Sequence, residues 1–152
     1  MSSTTGAGTS FAASVDLPAT NTKAGFEALT FTEVEDVEKL GAIGATTQKT
    51  EFTPLKGGKK KFKGSTDYGS LSPTMAHNKE DAGQSILRTL GDPDYIDAAS
   101  FRIIYPNGDK RYFTGRVFGY PESVDGADSV ITANPTIEAD TKIVKDDAPV
   151  IP

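Results

Sequence analysis

The stretch from Phe101 to Val117 (FRIIYPNGDKRYFTGRV) constrains the fold of this chain more than any other. Phe101, Ile103 and Tyr105 alternate with Arg102 and Ile104, the period of two that sends successive side chains to opposite faces of a strand. Asn107-Gly108 then offers two residues that tolerate positive φ, and Tyr112 to Val117 resumes the β-rich run. The pattern predicts two antiparallel strands joined by a tight two-residue turn.

The remaining composition fits a single mainly β domain. A chain of 152 residues can bury roughly 70% of its unfolded surface. With 36% hydrophobic residues and a mean hydropathy of −0.36, one modest core with polar ends is expected. The aromatic content (8 Phe, 5 Tyr, no Trp) points to strands, and 15 Gly with 9 Pro point to many turns.

Several function classes fall away on the same grounds. The chain has no cysteine, which removes disulfides, zinc ribbons, iron–sulfur clusters and thiol catalysis. No apolar run approaches the ~20 residues that a membrane helix requires, so no membrane partner is expected. The start MSSTTGAGTSFAASVDLPAT lacks the basic and apolar regions of a secretory signal, and synthesis in the cytoplasm is expected. A net charge of −5 argues against a clamp on nucleic acid, which needs a basic face, and leaves open a surface that DNA passes without sticking.

Along the chain, residues 1–24 are rich in Ser, Thr, Ala and Gly and read as an extended arm, disordered unless a neighbour orders it. Residues 146–152 read likewise as a C-terminal tail, leaving 25–145 as the folded domain. Ala28–Val34 alternates as a strand, Glu35–Leu40 reads as a short helical turn, and Thr46–Leu55 is a second strand with Thr50, Phe52 and Leu55 as packing positions. From Leu55 to about Ser72 a long Gly-rich loop or mobile hairpin is expected, a length that tends to be functional. The one helix predicted spans about 79–90, with Asn78 as N-cap, an apolar stripe of Ala82, Ile86, Leu87 and Leu90, and Gly91 as the C′ residue. From Ala127 to Val144 a period of two persists across Pro135. It puts Ile131, Ala133, Ile137, Ala139 and Ile143 on one face, and Thr132, Asn134, Thr136, Glu138 and Asp140 on the other. A proline within such a run implies an edge or a bulge, and a long strand pair with one polar, partly acidic face is expected.

The candidate catalytic and binding motifs read as structural. His77, the only histidine, stands just before the helix cap. Asp92, Asp94 and Asp97 open like a calcium loop, but that pattern then needs Gly and Glu where Asp97 and Ile103 stand, so the acids read as a helix-to-strand turn. Gly58-Lys59 fails as a phosphate loop at Thr53 and Lys60, and Gly6-Ala7-Gly8 follows no strand. No catalytic, cofactor or metal residue is assigned, although a glycosidase-type carboxylate pair is left open. The cluster Lys56, Gly57, Gly58, Lys59, Lys60, Lys61, Lys63 is different: it concentrates five lysines in one segment. Acids gather elsewhere, at Glu33, Glu35, Asp36 and Glu38, and at Glu122, Asp125 and Asp128. A basic protrusion with acidic faces elsewhere can bind copies of itself head to tail, which generates rings or open filaments.

The single amphipathic helix, Phe101-Arg-Ile-Ile-Tyr-Pro-Asn-Gly, Phe113-Thr-Gly-Arg-Val and Ser129-Val-Ile-Thr-Ala-Asn-Pro-Thr-Ile-Glu, in that order, resemble the tail tube proteins of tailed bacteriophages with long non-contractile tails. The resemblance covers about residues 24–145. It implies a β-sandwich or small β-barrel flanked by one α-helix, with a long β-hairpin loop and extended termini. It implies a virion protein made in the bacterial host cytoplasm, whose hexameric rings stack into a hollow tube for DNA ejection. The loop over about 55–75 would reach the next ring. The partners implied are other copies of the chain, a tail-tip or baseplate initiator, and tape measure and tail terminator proteins, with viral DNA passing unbound. The polar residues Asp128, Thr132, Asn134, Thr136, Glu138 and Asp140 suit the lumen of such a conduit, because acids and hydroxyls repel phosphate. Two alternatives stay open: the tube protein of a contractile injection or type VI secretion system, and a monomeric β-sandwich binding or decoration module.

Overall fold

The computed structural model describes residues 5–147. Its strands and helices begin with β1 (Ser10–Ser14), α1 (Lys23–Glu27), β2 (Thr32–Val34) and β3 (Val37–Lys39). A long pair follows, β4 (Thr46–Phe52) and β5 (Lys60–Asp67), then the short β6 (Ser70–Leu71) and β7 (Thr74–Ala76). After α2 (Ala82–Leu90) come β8 (Ala99–Ile104) and β9 (Lys110–Val117). The chain closes with β10 (Glu122–Ser123), β11 (Thr132–Ala133), β12 (Ile137–Ala139) and β13 (Val144–Asp146). The fold is mainly β. A large sheet ordered β2-β1-β8-β9-β12-β6, with β13 also on β9, packs over a smaller sheet ordered β10-β11-β7-β3. Helix α2 flanks the sandwich, and β4-β5 form a third sheet by themselves.

The β8–β9 hairpin supplies the centre of the core. Phe101 lies directly opposite Phe113, ring centroids 5.2 Å apart, and Phe11 stacks on Phe101 at 6.1 Å. All three rings are buried beside Ile103, Val117 and Ile137 of the large sheet, Met75 and Ala133 of the small one, and Leu87 and Leu90 of α2. Each such ring contributes about 1.5–3 kcal/mol through removal from water. The connection differs from the expected two-residue turn. Tyr105 N–H bonds to Asp109 O (2.8 Å), Gly108 N–H bonds to Tyr105 O (2.9 Å), and of the turn residues Gly108 alone has positive φ (97°). Three residues span the loop and glycine supplies the left-handed position, while the Pro106 ring holds the first corner at negative φ.

The N-terminal arm is corrected at Ser10–Ser14, which forms the interior strand β1 between β2 and β8. Phe11, Ala12 and Ala13 are buried. Average composition misses so short an apolar run, and it gains its backbone bonds from two strands distant in sequence. The chain then folds over the outer face of the large sheet through α1, capped by the Thr22 hydroxyl accepting from Gly25 N–H. Phe26 is buried there on Tyr112 (5.2 Å between centroids), with Phe31 tilted against the same ring at 6.0 Å. At the other end β13 pairs with β9, Asp146 opposite Lys110, and the Asp146 carboxylate meets Lys23 Nζ at 3.1 Å. Residues 1–4 of the expected arm and 148–152 of the expected tail lie outside the described residues.

Helix α2 begins three residues later than the sequence predicts. Asp81 is the N-cap, its carboxylate accepting from Gln84 N–H (2.9 Å), while Asn78 Oδ1 accepts from Glu80 N–H (3.1 Å) in the turn before it. The buried stripe is Gly83, Gln84, Leu87 and Leu90; Ala82 is exposed and Ile86 half-buried. The reason is Gly83, whose missing side chain lets the helix lie against β2. The expected helical turn over 35–40 is instead β3, paired with β7, after Asp36 turns the corner at φ 62°. Pairing with a strand already fixed in the small sheet outweighs the weak local helical preference. The expected long strand pair over 127–144 is divided: Pro135 separates β11 in the small sheet from β12 in the large one. Ala133 and Ile137 are buried as the alternation predicts, but Ile131 is 41% exposed.

Candidate assembly interface

The β4–β5 ribbon has no buried residue: every position of Thr46–Phe52 and Lys60–Asp67 is exposed. Thr50, Phe52 and, beyond the ribbon, Leu55 therefore join no core, contrary to expectation, because alternation marks a face without showing that anything covers it. The lysine cluster divides between ribbon and turn. Lys60, Lys61 and Lys63 stand on β5, whereas Lys56, Gly57, Gly58 and Lys59 make the connection, with Gly57 at φ 104°. The register places Thr50 opposite Phe62 and Phe52 opposite Lys60, so these four share one face, with Phe52 59% and Phe62 55% exposed. Lys49, Glu51, Lys61 and Lys63 share the other. Lys49 and Lys59 both reach the Glu51 carboxylate, at 2.9 and 3.4 Å, which leaves this face basic. A bulge at Gly64-Ser65 shifts the register between Thr47 and Lys49. A two-stranded ribbon of this kind is marginal in water by itself and gains most from a partner.

The acidic corner between β2 and β3 is held firmly. Glu35 N–H donates to the Asp81 carboxylate (3.2 Å), and the Gln84 amide Nε2 donates to Glu35 O (3.0 Å) and Ala76 O (2.9 Å). Gln84 Oε1 accepts from Asn78 N–H (2.9 Å) and the Tyr120 hydroxyl (3.3 Å). Gln84, fully buried, thus fixes the corner, the end of β7 and the start of α2 at once. Sequence reasoning missed this residue, for which the single signal was an amide inside an apolar stripe. The side chains of Glu33, Glu35, Asp36 and Glu38 project from the corner into water. The Glu33 carboxylate foremost, then burial, Asp81 and Asp36, raises the Glu35 carboxyl above its ordinary value. Like charges are held together here by the backbone clamps.

The remaining sequence candidates disperse. Thr132 lies on β11 and Glu138 on β12, in different sheets; Asn134 and Thr136 flank Pro135 between them, and Asp128 sits in the loop after β10. The six polar residues do not form one strand face. Glu138 pairs across to Arg116 in the register, and the Asp140 carboxylate takes the Arg116 guanidinium, so the acid there is locally neutralised. His77 follows β7, with Nδ1 4.0 Å from Glu122. Asp92 Oδ1 accepts from Asp94 N–H (2.9 Å) in the turn after α2. Among the described residues no group of three or more potential ligands could hold a metal ion.

The fold is shared with chains of a sheath/tube terminator, a baseplate and a tail tube. The PVC sheath/tube terminator of an extracellular contractile injection system, in the extended state, superposes with a TM-score of 0.71 over 96% of this chain and 98% of its own, at 6% identity. A chain of the anti-feeding prophage (AFP) baseplate gives 0.72 over 99% and 100%, at 7% identity. The SPP1 tail tube gives 0.65 over 92% of this chain and 77% of its own, at 14% identity. At such identities the likeness is one of fold, and the chain has a tail-tube-like fold. No protein-family model and no curated protein sequence matches it.

Proposed function

We propose that this protein is a structural subunit of a phage-type tail tube, assembling as hexameric rings that stack into a conduit for DNA ejection, with no catalytic role. The observation that carries this is the exposed β4–β5 ribbon, unpacked on both faces, on a fold shared over nearly the whole chain with a sheath/tube terminator chain, a baseplate chain and the SPP1 tail tube. Lys56, Gly57, Gly58, Lys59, Lys60, Lys61 and Lys63 are the proposed contact segment between rings. The proposed lumen residues narrow to Thr136, Glu138 and Asp140 beside β12, since Thr132 stands in the other sheet and Asp128 in a loop. Tail-tip or baseplate initiator, tape measure and terminator proteins are the proposed partners in the virion tail.

A second version within the same structural class places the chain in a contractile injection machine, as tube or tube-terminating subunit. It is favoured by the near-complete mutual coverage with the PVC terminator and the AFP baseplate chain, against 77% of the SPP1 chain. The test is negative-stain electron microscopy of the purified protein, concentrated at neutral pH with and without a baseplate nucleus. Hollow tubes of uniform diameter support the tube subunit, and single closed rings support the terminator. Monodisperse small particles under both conditions would favour a monomeric module.

A further inference from the structure

The corner between β2 and β3 borders a groove of about 500 Å³ whose floor is apolar, with Phe11 and Val34 buried at its base and Val37 and Leu40 half-buried. Its rim carries Glu33, Glu35, Asp36 and Glu38 against the single cation Lys39. The β4–β5 ribbon has the complementary composition: exposed Phe52 and Phe62 with Lys60 on one face, Lys61 and Lys63 on the other, and Lys59 at the turn. Lysine stems are long enough to lie along apolar surface while their heads meet carboxylates. Building on the tube reading, we infer that this groove is the receptor for the β4–β5 ribbon of a second copy of the chain. In that arrangement Phe52 or Phe62 covers the Val37–Leu40 floor, Lys60 meets the rim from the same face, and the long stems of Lys61 and Lys63 reach round the ribbon to it from the other.

The arrangement explains why four acids are clamped together at a corner where they repel one another: incoming ammonium groups relieve the repulsion. It also makes the contact heterologous, ribbon to groove, which propagates from copy to copy. Opposite charges steer the encounter and set its register, while the apolar floor adds the burial that charge alone does not supply.

Two measurements on the full chain test this. Reversing the ribbon (Lys60→Glu, Lys61→Glu, Lys63→Glu) or the rim (Glu33→Lys, Glu35→Lys, Glu38→Lys) should each raise the concentration needed for assembly at least about tenfold. Combining both sets in one chain should restore it to within about threefold, because the pairing is re-established with signs exchanged. All six positions are exposed, so circular dichroism should be unchanged. The cysteine-free chain also permits a direct readout: Lys60→Cys and Glu35→Cys variants, mixed and oxidised, should give a disulfide-linked heterodimer, because Lys60 shares the ribbon face of Phe52 and Phe62. If wild type assembles but the combined variant stays as defective as the single sets and the mixture gives no heterodimer, the groove is not the receptor and the tube reading stands. If wild type forms neither rings nor tubes with a nucleus present, both fall together.

Discussion

Gly83 of α2 lies so close to the Glu33 carbonyl of β2 that a Cβ at position 83 would stand 2.2 Å from that oxygen. The neighbour is backbone, in a strand already bonded to β1, so it has little freedom to yield. Gly83→Ala should lower stability by about 1–3 kcal/mol despite the better helix propensity of alanine. Thermal unfolding reads this directly, and a variant melting at or above the wild-type temperature would contradict the close packing.

Gln84 is the second point at which the helix is tied to the sheets. Gln84→Leu keeps the volume but removes the partners of Glu35 O, Ala76 O and Asn78 N–H. Since an unsatisfied buried group costs about 1–3 kcal/mol, the loss in urea unfolding should exceed about 2 kcal/mol. A difference under half of that would mean that water replaces the amide.

Tyr112 offers a pH-dependent readout. Burial foremost holds its hydroxyl above the ordinary value of 10.0, and burial does the same to Tyr120. A raised value in the folded chain means that the unfolded chain releases the proton first. The associated stability is complete below pH 10 and is lost as pH rises through the folded value. Melting temperatures should fall above pH 10, and Tyr112→Phe should lessen the fall while leaving Tyr120 to contribute. A variant with the same alkaline slope as wild type would assign the dependence elsewhere.

The ribbon should be separable from the fold. Replacing residues 50–62 by Asn-Gly leaves the directly paired Lys49 and Lys63 to close a short turn, and the core cluster contains nothing from 46–67. The melting temperature should stay within about 2 °C of wild type, because no buried surface is removed. On the proposed function, the same variant forms no stacked tubes. Normal tubes would show that stacking uses another surface.

What the sequence disclosed follows from how local each signal is. The β8–β9 pair and α2 were legible because period, turn residues and caps lie within a few positions of one another. Strand β1 was not: Phe11-Ala12-Ala13 is too short to stand out among serines and threonines, and its order comes from β2 and β8. Strand β3 was misread because β7, which fixes it, lies far along the chain. In the candidate interface, the lysines and acids were visible as charge clusters. Their presentation was not, since whether Phe52 and Phe62 are covered depends on where the ribbon projects. The clamp at Gln84 needed three separate segments to meet.

The placement of β1 also sets a schedule for the chain as it is made. Ser10 pairs with Ile104, and Phe11 with Ile103, so β1 waits for a strand synthesised far along the chain before its second edge is filled. At roughly 5–20 residues per second, that wait lasts several seconds. Closing so distant a pairing is entropically slow. The β4–β5 ribbon is complete well before the large sheet is, so its exposed phenylalanines are presented by a nascent chain that still lacks a finished body. The like charges of its lysines meanwhile disfavour pairing between neighbouring nascent ribbons.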